Sequence, residues 1–299
     1  MISLEKAKEV LHEDVKNVTA ILKGWSGDEK YLVEGEYNTY LIRVSALSTY
    51  EKKKTEFKYI KKVYEKEINT NQPIALINNH GVIYTVLEYV KGKDLEEILP
   101  GLDSMTQYEI GLKSGEILSQ IHKISFDEQV NPWFDRYSRK TLVNIEKFRQ
   151  CGVEIENQEK AVSFLLENMD ILRNRPQVFQ HGDYHIGNMI YDEKGDLAII
   201  DFNRMDFGDS YEEFNRMATF SRKTSIPFAT GQIEGYFNRK IPEEFFRLFA
   251  FYSISNALGA IPWAIPFGTR EVKTMIELTE MVIADFDQLT DCVPVWFKR

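Results

Sequence analysis

Cysteine is scarce in this chain, and its apolar runs are short. The 299 residues include only Cys151 and Cys292, which stand far apart and in no spacing typical of a metal site. We therefore expect neither a disulfide framework nor a zinc cluster, and we expect a reducing compartment. The longest apolar stretch, residues 257–267, contains Pro262 and Pro266, so it predicts a buried helical hairpin rather than a membrane span.

The chain also lacks an excess of positive charge. Its 37 Lys and Arg are outnumbered by 46 Asp and Glu, and the formal net charge of −9 argues against a nucleic-acid-binding surface. The first residues show no basic patch followed by an apolar run, so we expect no signal peptide, no membrane partner and a cytoplasmic location. Walker A and Gly-x-Gly-x-x-Gly patterns are missing, as are internal repeats.

The first 90 residues have the patterns of an antiparallel sheet with one inserted helix. Residues 1–11 have helical spacing, and the lysine-rich stretch 50–68 predicts an amphipathic helix. Short runs rich in Val, Ile, Tyr and Thr predict strands at 18–22, 31–33, 37–44 and 82–90. This part of the chain is therefore expected to form a small β-rich lobe.

Beyond residue 91 the pattern is mainly helical. Ser104 and Gln107 predict a capping box that opens a helix, and further helices are predicted at 140–150, 157–173, 209–221, 243–258 and 270–290. The exception is a hairpin, with strands at 189–191 and 197–200. The predicted class is α+β, with an N-terminal domain at 1–90 and a C-terminal domain at 91–299, a size suited to one bilobal unit.

Polar residues in and beside this hairpin have the spacing of a phosphoryl-transfer site. Asp183 and Asn188 are five residues apart, as are the base Asp and the metal-binding Asn of the protein-kinase catalytic loop. Asp201 directly follows the apolar run 197–200, where an isolated carboxylate is costly unless a cation meets it. Phosphoryl transfer needs a carboxylate to orient the attacking hydroxyl and oxygen ligands for magnesium. These three residues are of the required types, although Asp and Asn also favour plain turns.

The whole combination resembles the aminoglycoside phosphotransferase family of the protein-kinase-like superfamily. It comprises His181-Gly182-Asp183, Asn188, Ile200-Asp201 and Gly208-Asp209. The resemblance implies a bilobal kinase-like fold and transfer of the γ-phosphoryl group of ATP or GTP to a small-molecule hydroxyl, with Mg2+ as cofactor. It implies that Asp183 is the base and that Asn188 and Asp201 hold the metal. The histidine of this motif is mainly structural in the family, so we expect a scaffold role for His181.

The resemblance also implies residues that bind the nucleotide. Glu88 and Val90 take the place of the hinge that receives the base, through the carbonyl of Glu88 and the amide of Val90. Ser26 and Gly27 lie between the first two strands, where the family covers the phosphates with backbone amides. Composition alone also allows a plain hairpin turn at Ser26 and Gly27.

Two further nucleotide-site residues show where the chain departs from the family. Glu56 resembles the glutamate that pairs with the phosphate-binding lysine of the third strand, but Arg43 occupies the lysine position. The guanidinium retains the charge and can hold phosphate or the Glu56 carboxylate, although the two residues could also form an ordinary surface pair. Asn203 replaces the glycine of the kinase Asp-Phe-Gly sequence, which is tolerable if Asn203 takes a left-handed conformation.

These residues determine neither which molecule accepts the phosphoryl group nor whether the protein catalyses the transfer. An aminoglycoside competes with metabolite alcohols such as choline-like amines, methylthioribose, homoserine and hydroxylysine, and an amino-sugar acceptor would imply a role in antibiotic resistance. A nucleotide-binding regulator without turnover is the alternative from another class. Four acids are candidates to meet a cationic acceptor, although two of them equally suit the first turn of a helix: Glu212, Glu213, Asp285 and Asp287.

Overall fold

The computed structural model describes residues 2–22, 27–192 and 194–298. It divides into two compact units, one comprising Met1–Asp94 with Asn188–Met205 and the other Leu95–Gly187 with Asp206–Arg299. By compactness, the segment that carries Asn188 and Asp201 thus belongs with the N-terminal residues. The functional boundary at residues 90 and 91 stays a prediction.

The strands are mostly short and antiparallel. They are β1 (Val15–Ile21), β2 (Glu29–Gly35), β3 (Thr39–Ala46), β4 (Pro73–Asn79), β5 (Val82–Glu88), β6 (Gly92–Asp94), β7 (Gln177–Gln180), β8 (Met189–Asp192), β9 (Leu197–Ile199) and β10 (Asp206–Asp209). The first unit holds a five-stranded sheet in the order β1-β2-β3-β5-β4 and a three-stranded sheet in the order β6-β8-β9. In the second unit β7 pairs with β10.

Two α-helices, α1 and α2, lie in the first unit, and the others make up most of the second. They are α1 (Leu4–Leu11), α2 (Tyr50–Glu65), α3 (Leu95–Ile98), α4 (Ser104–Ile121), α5 (Trp133–Gln150), α6 (Gln158–Glu167), α7 (Phe214–Arg216), α8 (Arg222–Thr224), α9 (Ile226–Tyr236), α10 (Glu243–Ala264) and α11 (Thr269–Asp285). A π-helical stretch, Met217–Ser221, joins α7 to α8. The predicted α+β class, with an antiparallel N-terminal sheet followed by a mainly helical part, is confirmed.

Alternation in β3 separates an apolar face from a charged one. Tyr40 and Ile42 join a core cluster with the α1 residues Ala7 and Val10. Arg43 points to the opposite face, because successive side chains of a strand alternate, and it is only 5% exposed. A buried cation on this face needs anionic partners, which the site supplies.

Strand β4 is one of the strands that were not predicted, because its sequence signals are weak. β4 begins at Pro73 and lies at the edge of the five-stranded sheet, next to β5. Proline cannot donate a ladder hydrogen bond, so strands that contain it are confined to such edges or to first positions. Here the pairing with β5, and not the intrinsic preference of the segment, makes the strand.

The central helix of the second unit corrects the predicted hairpin. α10 continues through Pro262 to Ala264 as one helix of 22 residues. Its buried side chains surround the axis, which is typical of a core helix: they include Phe245, Phe246, Phe249, Tyr252, Leu258 and Ile261. By length and composition alone Glu243–Phe267 could cross a membrane, but 67% of its apolar window is buried inside the protein.

The pair α4 and α9 shows why one helix was overlooked. α9 contains Gly231 and Gly235, which lower intrinsic helix propensity. A Cβ atom at Gly235 would lie 2.1 Å from the Leu112 carbonyl oxygen, so the glycine allows close packing on α4. The start of α4 also differs from the prediction. Asp103, not Ser104, is the N-cap, and its side chain accepts hydrogen bonds from the amides of Met105 and Thr106.

Several predicted helix ends shift by more than one turn. α5 begins at Trp133 instead of residue 140, and α6 ends at Glu167, before a 3-10 turn. The segment predicted as one helix at 209–221 starts only at Phe214, because Asp209 ends strand β10. The sequence did not predict that β7 pairs with β10, because each strand has only four residues.

Candidate functional site

The loop after β7 carries the predicted base and is held by a buried glutamate. The two carboxylate oxygens of Glu213 accept hydrogen bonds from the backbone amides of His181, at 2.6 Å, and Gly182, at 2.8 Å. Glu213 is 1% exposed, so these bonds are shielded from water. The amide of Asp183 donates to Nδ1 of His181 at 3.2 Å. His181 therefore has a scaffold position in this loop, as the resemblance implies.

Asp183 itself lies beside two nitrogen groups and remains accessible. Its Oδ1 is 3.3 Å from Nε of Arg216 and 3.7 Å from Nε2 of His185, and 19% of its side chain is exposed. The amide of Gly187 donates to Nδ1 of His185 at 3.1 Å, which leaves the ring proton on Nε2, facing Asp183. A carboxylate that is held in place and open to a hydroxyl can serve as a general base.

The buried Asp209 ties this loop region to the helices. Its carboxylate accepts bonds from Arg175, at 2.6 and 3.2 Å, and from the hydroxyl of Tyr252, at 2.7 Å. Its carbonyl accepts a bond from Gln180, the last residue before the loop, at 2.9 Å. Burial and the Asp209 charge raise the pKa of Tyr252 well above its ordinary value, so Tyr252 remains a donor. Asp209 thus anchors the end of β7, and with it the start of the loop, to Arg175 and Tyr252.

Three of the four acids proposed to meet a cationic acceptor are committed to the chain itself. Glu213 holds the loop, Glu212 accepts from Lys140 at 3.1 Å, and Asp285 pairs with Arg222. Each of these three carboxylates belongs to a buried residue. Burial raises the pKa of Asp285 to about 6 despite its arginine partner. The fourth acid, at position 287, is exposed.

Sequence reasoning missed the loop-holding role of Glu213 and the contact of Arg216 with Asp183. Glu213 was weighed only as a helix-start acid or as a ligand of amines. An acid at the start of a helix is so common that its position carries no signal for such a contact. Arg216 lies 33 residues beyond Asp183, and no local pattern connects them.

In the first unit, Arg43 lies between two carboxylates. Its Nη1 donates to Oδ1 of Asp201 and its Nη2 to Oδ2 of Asp28, each at 2.8 Å. Lys30 donates to the second oxygen of Asp201 at 3.0 Å. Burial opposes the charge of Arg43, but the nearby Asp201 and Asp28 carboxylates outweigh it and raise the Arg43 pKa. The isolated carboxylate expected at Asp201 thus has two cations.

Among the described residues, Arg43 and Glu56 do not form the predicted ion pair. Glu56 accepts instead from Lys53 at 2.9 Å, and Lys53 also donates to Asp28 at 2.7 Å. Nε of Arg43 and Oε1 of Glu56 are both buried and, in the part of the chain that the structure describes, have no hydrogen-bond partner. Side chains on one helix turn reach each other first, because residues three apart share a face. Lys53 thus pairs with Glu56.

The proposed metal ligands have suitable chemistry. Asp201 supplies a carboxylate and Asn188 an amide oxygen, both of the hard type that Mg2+ prefers. Lys30 and Arg43 each donate to one oxygen of Asp201, which shows that this carboxylate attracts cations. The residues fit magnesium. Across residues 2–22, 27–192 and 194–298, no group of three or more His, Cys, Asp or Glu is arranged for another metal.

Backbone geometry around Asp201 differs from the expectation. Asp201 itself has the left-handed conformation, with φ of 67°, and Asn203 does not. Asn203 lies in a 3-10 turn, Phe202–Arg204. The asparagine that replaces glycine therefore needs no unusual backbone, and the left-handed position is taken by an aspartate, which tolerates it.

The proposed hinge has one backbone group in use and one open. The carbonyl of Glu88 accepts from the Asn71 side chain at 2.9 Å and retains a second acceptor site. Within the described part of the chain, the amide of Val90 has no hydrogen-bond partner. Gly27 has open space where a Cβ would lie. Ser26 lies outside the described residues.

Comparisons with known structures show the same fold in other proteins. The ADP-bound aminoglycoside phosphotransferase APH(2'')-Ib is 17% identical to this chain, with a TM-score of 0.67 over 93% of this chain and 96% of the other. The GDP complex of aminoglycoside 2'-phosphotransferase-IIIa is 13% identical, with a TM-score of 0.69 over 91% and 94%. At such identities the likeness shows a shared fold. No curated protein sequence matches the chain significantly.

The sequence itself matches a family model over most of its length. The matched range, residues 17–247, contains Asp183, Asn188 and Asp201 together with the described nucleotide-site candidates. On this match the chain belongs to the phosphotransferase enzyme family, whose members include the aminoglycoside phosphotransferases it resembles.

Proposed function

We propose that this protein transfers the γ-phosphoryl group of ATP or GTP to a hydroxyl of a small molecule, with Asp183 as the base. The observation that carries the proposal is the loop geometry. Glu213 fixes the backbone at His181 and Gly182, and Asp183 presents an accessible carboxylate beside Arg216. A non-catalytic nucleotide binder would have no use for such a carboxylate.

The proposed roles follow from charge and reach. Asp183 accepts the proton of the attacking hydroxyl. Asn188 and Asp201 would hold magnesium, which neutralises phosphate charge when bound. In the first unit, Arg43 binds nucleotide phosphates through a guanidinium that cannot lose its charge. Glu88 and Val90 bind the base through their backbone groups.

The remaining nucleotide-site candidates are Ser26, Gly27 and Glu56, and only the proposed role of Glu56 differs from the predicted one. Gly27 contributes to the phosphate loop, and Ser26 stays a sequence prediction in the same loop. Glu56 contributes indirectly, through its bond to Lys53. A cytoplasmic location is proposed as well, because the reaction draws on a pool of nucleoside triphosphate.

The acceptor class is the least constrained part. Similar structures have been determined with the aminoglycosides streptomycin and gentamicin, so aminoglycosides are the first class to test. A less cationic metabolite alcohol is the second candidate, because Glu212, Glu213 and Asp285 bind groups of the chain itself. An amino-sugar acceptor would make the protein an antibiotic-resistance enzyme.

A coupled nucleotide-release assay against amino sugars and small alcohols tests the proposal. With the true acceptor, Asp183→Asn should lower turnover by roughly two to four orders of magnitude, the usual share of a positioned base. Asp170→Asn is the matched control, because its side chain is 81% exposed and pairs with Arg173, which is itself exposed. Turnover by Asp183→Asn equal to that of the control would remove Asp183 from the mechanism.

A further inference from the structure

Arg43 carries the cationic role of the first unit, and its partners differ from those that the resemblance implies. Building on the proposed function, we infer that Asp28, and not Glu56, is the carboxylate that positions Arg43 for the nucleotide phosphates. Lys53 links Asp28 to helix α2. Asp28 is thus a positioning residue, and it acts through Arg43.

Asp28 is the centre of a buried hydrogen-bond group. Its Oδ2 accepts from Arg43 at 2.8 Å and from Lys53 at 2.7 Å, and its Oδ1 accepts from the hydroxyl of Ser45 at 2.7 Å. Only 10% of the Asp28 side chain is exposed. Burial alone would raise the pKa of Asp28, but the bonds from Lys53 and Ser45 and the charge of Arg43 lower it. Asp28 therefore remains a charged, fixed acceptor.

Glu56 lacks the contact that a positioning role requires. No Glu56 oxygen lies within 4.0 Å of Arg43 in the described residues, and its bond goes to Lys53. Glu56 lies close enough to Arg43 for its charge to favour the charged guanidinium, although Asp201 and Asp28 contribute more. Orientation needs a hydrogen bond, whereas a charge without contact leaves the guanidinium free to rotate.

Asp201, the other partner of Arg43, has a second task as a proposed metal ligand. Asp28 has no other proposed task, so it is the partner that stays with Arg43 while nucleotide is bound. Lys53 carries the connection onward, because it bonds Asp28 and Glu56 at once. In this arrangement α2 is linked to Arg43 through Lys53 and Asp28, in place of a direct contact from Glu56.

The sign of the effect separates positioning from simple electrostatics. Removing a negative charge near bound phosphates should, by Coulomb attraction alone, tighten nucleotide binding. Loss of a positioning contact should weaken it. We therefore expect Asp28→Asn to bind Mg·ADP at least about tenfold more weakly than wild type, the usual consequence of losing a hydrogen bond to a charged group.

The experiment is calorimetric titration of Mg·ADP below the unfolding temperature of each variant, with Glu56→Gln and Glu36→Gln alongside. All three variants remove one negative charge, and Glu36 is exposed. The inference expects the largest loss for Asp28→Asn, a smaller one for Glu56→Gln and none for Glu36→Gln. Equal or tighter binding by Asp28→Asn, or a larger loss for Glu56→Gln, would overturn it.

Ser45→Ala provides a second variant should Asp28→Asn fail to fold. It keeps every charge and removes only the hydroxyl bond that orients Asp28. We expect about threefold to tenfold weaker Mg·ADP binding, as for one neutral hydrogen bond, and unchanged affinity would count against the inference. Wild-type protein that binds no nucleotide would instead refute the proposed function, and the inference with it.

Discussion

The contact between Glu213 and the loop of Asp183 leads to a prediction that joins stability to turnover. The two carboxylate oxygens accept two amide bonds, at 2.6 and 2.8 Å, from His181 and Gly182. In Glu213→Gln one oxygen becomes an NH2 group, which cannot accept. One bond to a charged acceptor is lost, and one buried amide is left without a partner. We expect the free energy of unfolding to fall by about 2–4 kcal/mol.

The effect on turnover follows from the position of Asp183, one residue after the released amide. A shift of its carboxylate by about 1 Å costs roughly 100-fold in rate, so kcat should fall by that order. The proposed nucleotide contacts lie in the first unit, so the Kd for Mg·ADP should change by less than about threefold. Urea unfolding, initial rates and calorimetry measure the three quantities.

Glu212→Gln is the matched control for this prediction. Glu212 is the adjacent residue and is also buried, but its carboxylate bonds the side chains of Lys140 and Gln180 and not the loop backbone. We expect a clearly smaller loss of kcat for this variant. The reasoning would be refuted by Glu213→Gln protein with wild-type kcat, or by equal losses in the two variants.

Three further predictions concern charge. Arg43→Ala should raise the nucleotide KM and lower kcat. Arg43→Lys should keep part of the activity, because the ammonium group retains the charge but cannot make both carboxylate contacts. A wild-type KM in Arg43→Ala would favour a non-catalytic binder. Asp201→Ala should weaken metal-dependent nucleotide binding more than Asn188→Ala does, because it removes a charge. Calorimetry with and without Mg2+ measures this binding. Nucleotide affinity in wild type that does not depend on the metal would contradict the prediction. The pKa of Asp285 is raised from 3.8 to about 6, so its contribution to stability is present below pH 3.8 and is lost as the pH rises through 6. The unfolding free energy of wild type relative to Asp285→Asn should therefore fall by about 2 kcal/mol from pH 4 to 7, and a flat difference would argue against burial at this site.

The predicted fold class and the resemblance to the aminoglycoside phosphotransferases are confirmed. The elements that were predicted correctly are those whose sequence signal is local or periodic. The three- and four-residue steps between apolar residues of α2 and the hydrophobic runs of β3 and β5 identified those elements. Strand β4 and helix α9 went unpredicted, because their own residues disfavour what they form. In both, a neighbour supplies the stabilising contact, namely β5 for the edge strand and α4 for the glycine-containing helix.

The candidate site divides in the same way. Asp183 and Asn188 are five positions apart, so chain connectivity relates them and the sequence alone shows the relation. The contact of Glu213 with the loop spans 31 positions and that of Arg43 with Asp201 spans 158. No short pattern records such distances.

What the sequence by itself determined is the set of chemical groups: a carboxylate five residues before an amide, a second carboxylate after a buried strand, and a cation in the third strand. What only the tertiary structure decided is which charges pair. Arg43 had several acids available, and Glu56 was the expected partner. Strand pairing and the turn of α2 instead place Asp28 against Arg43 and Lys53 against Glu56. Ion pairing depends on distances of a few ångströms between side chains, and those distances exist only after the strands and the helix have packed.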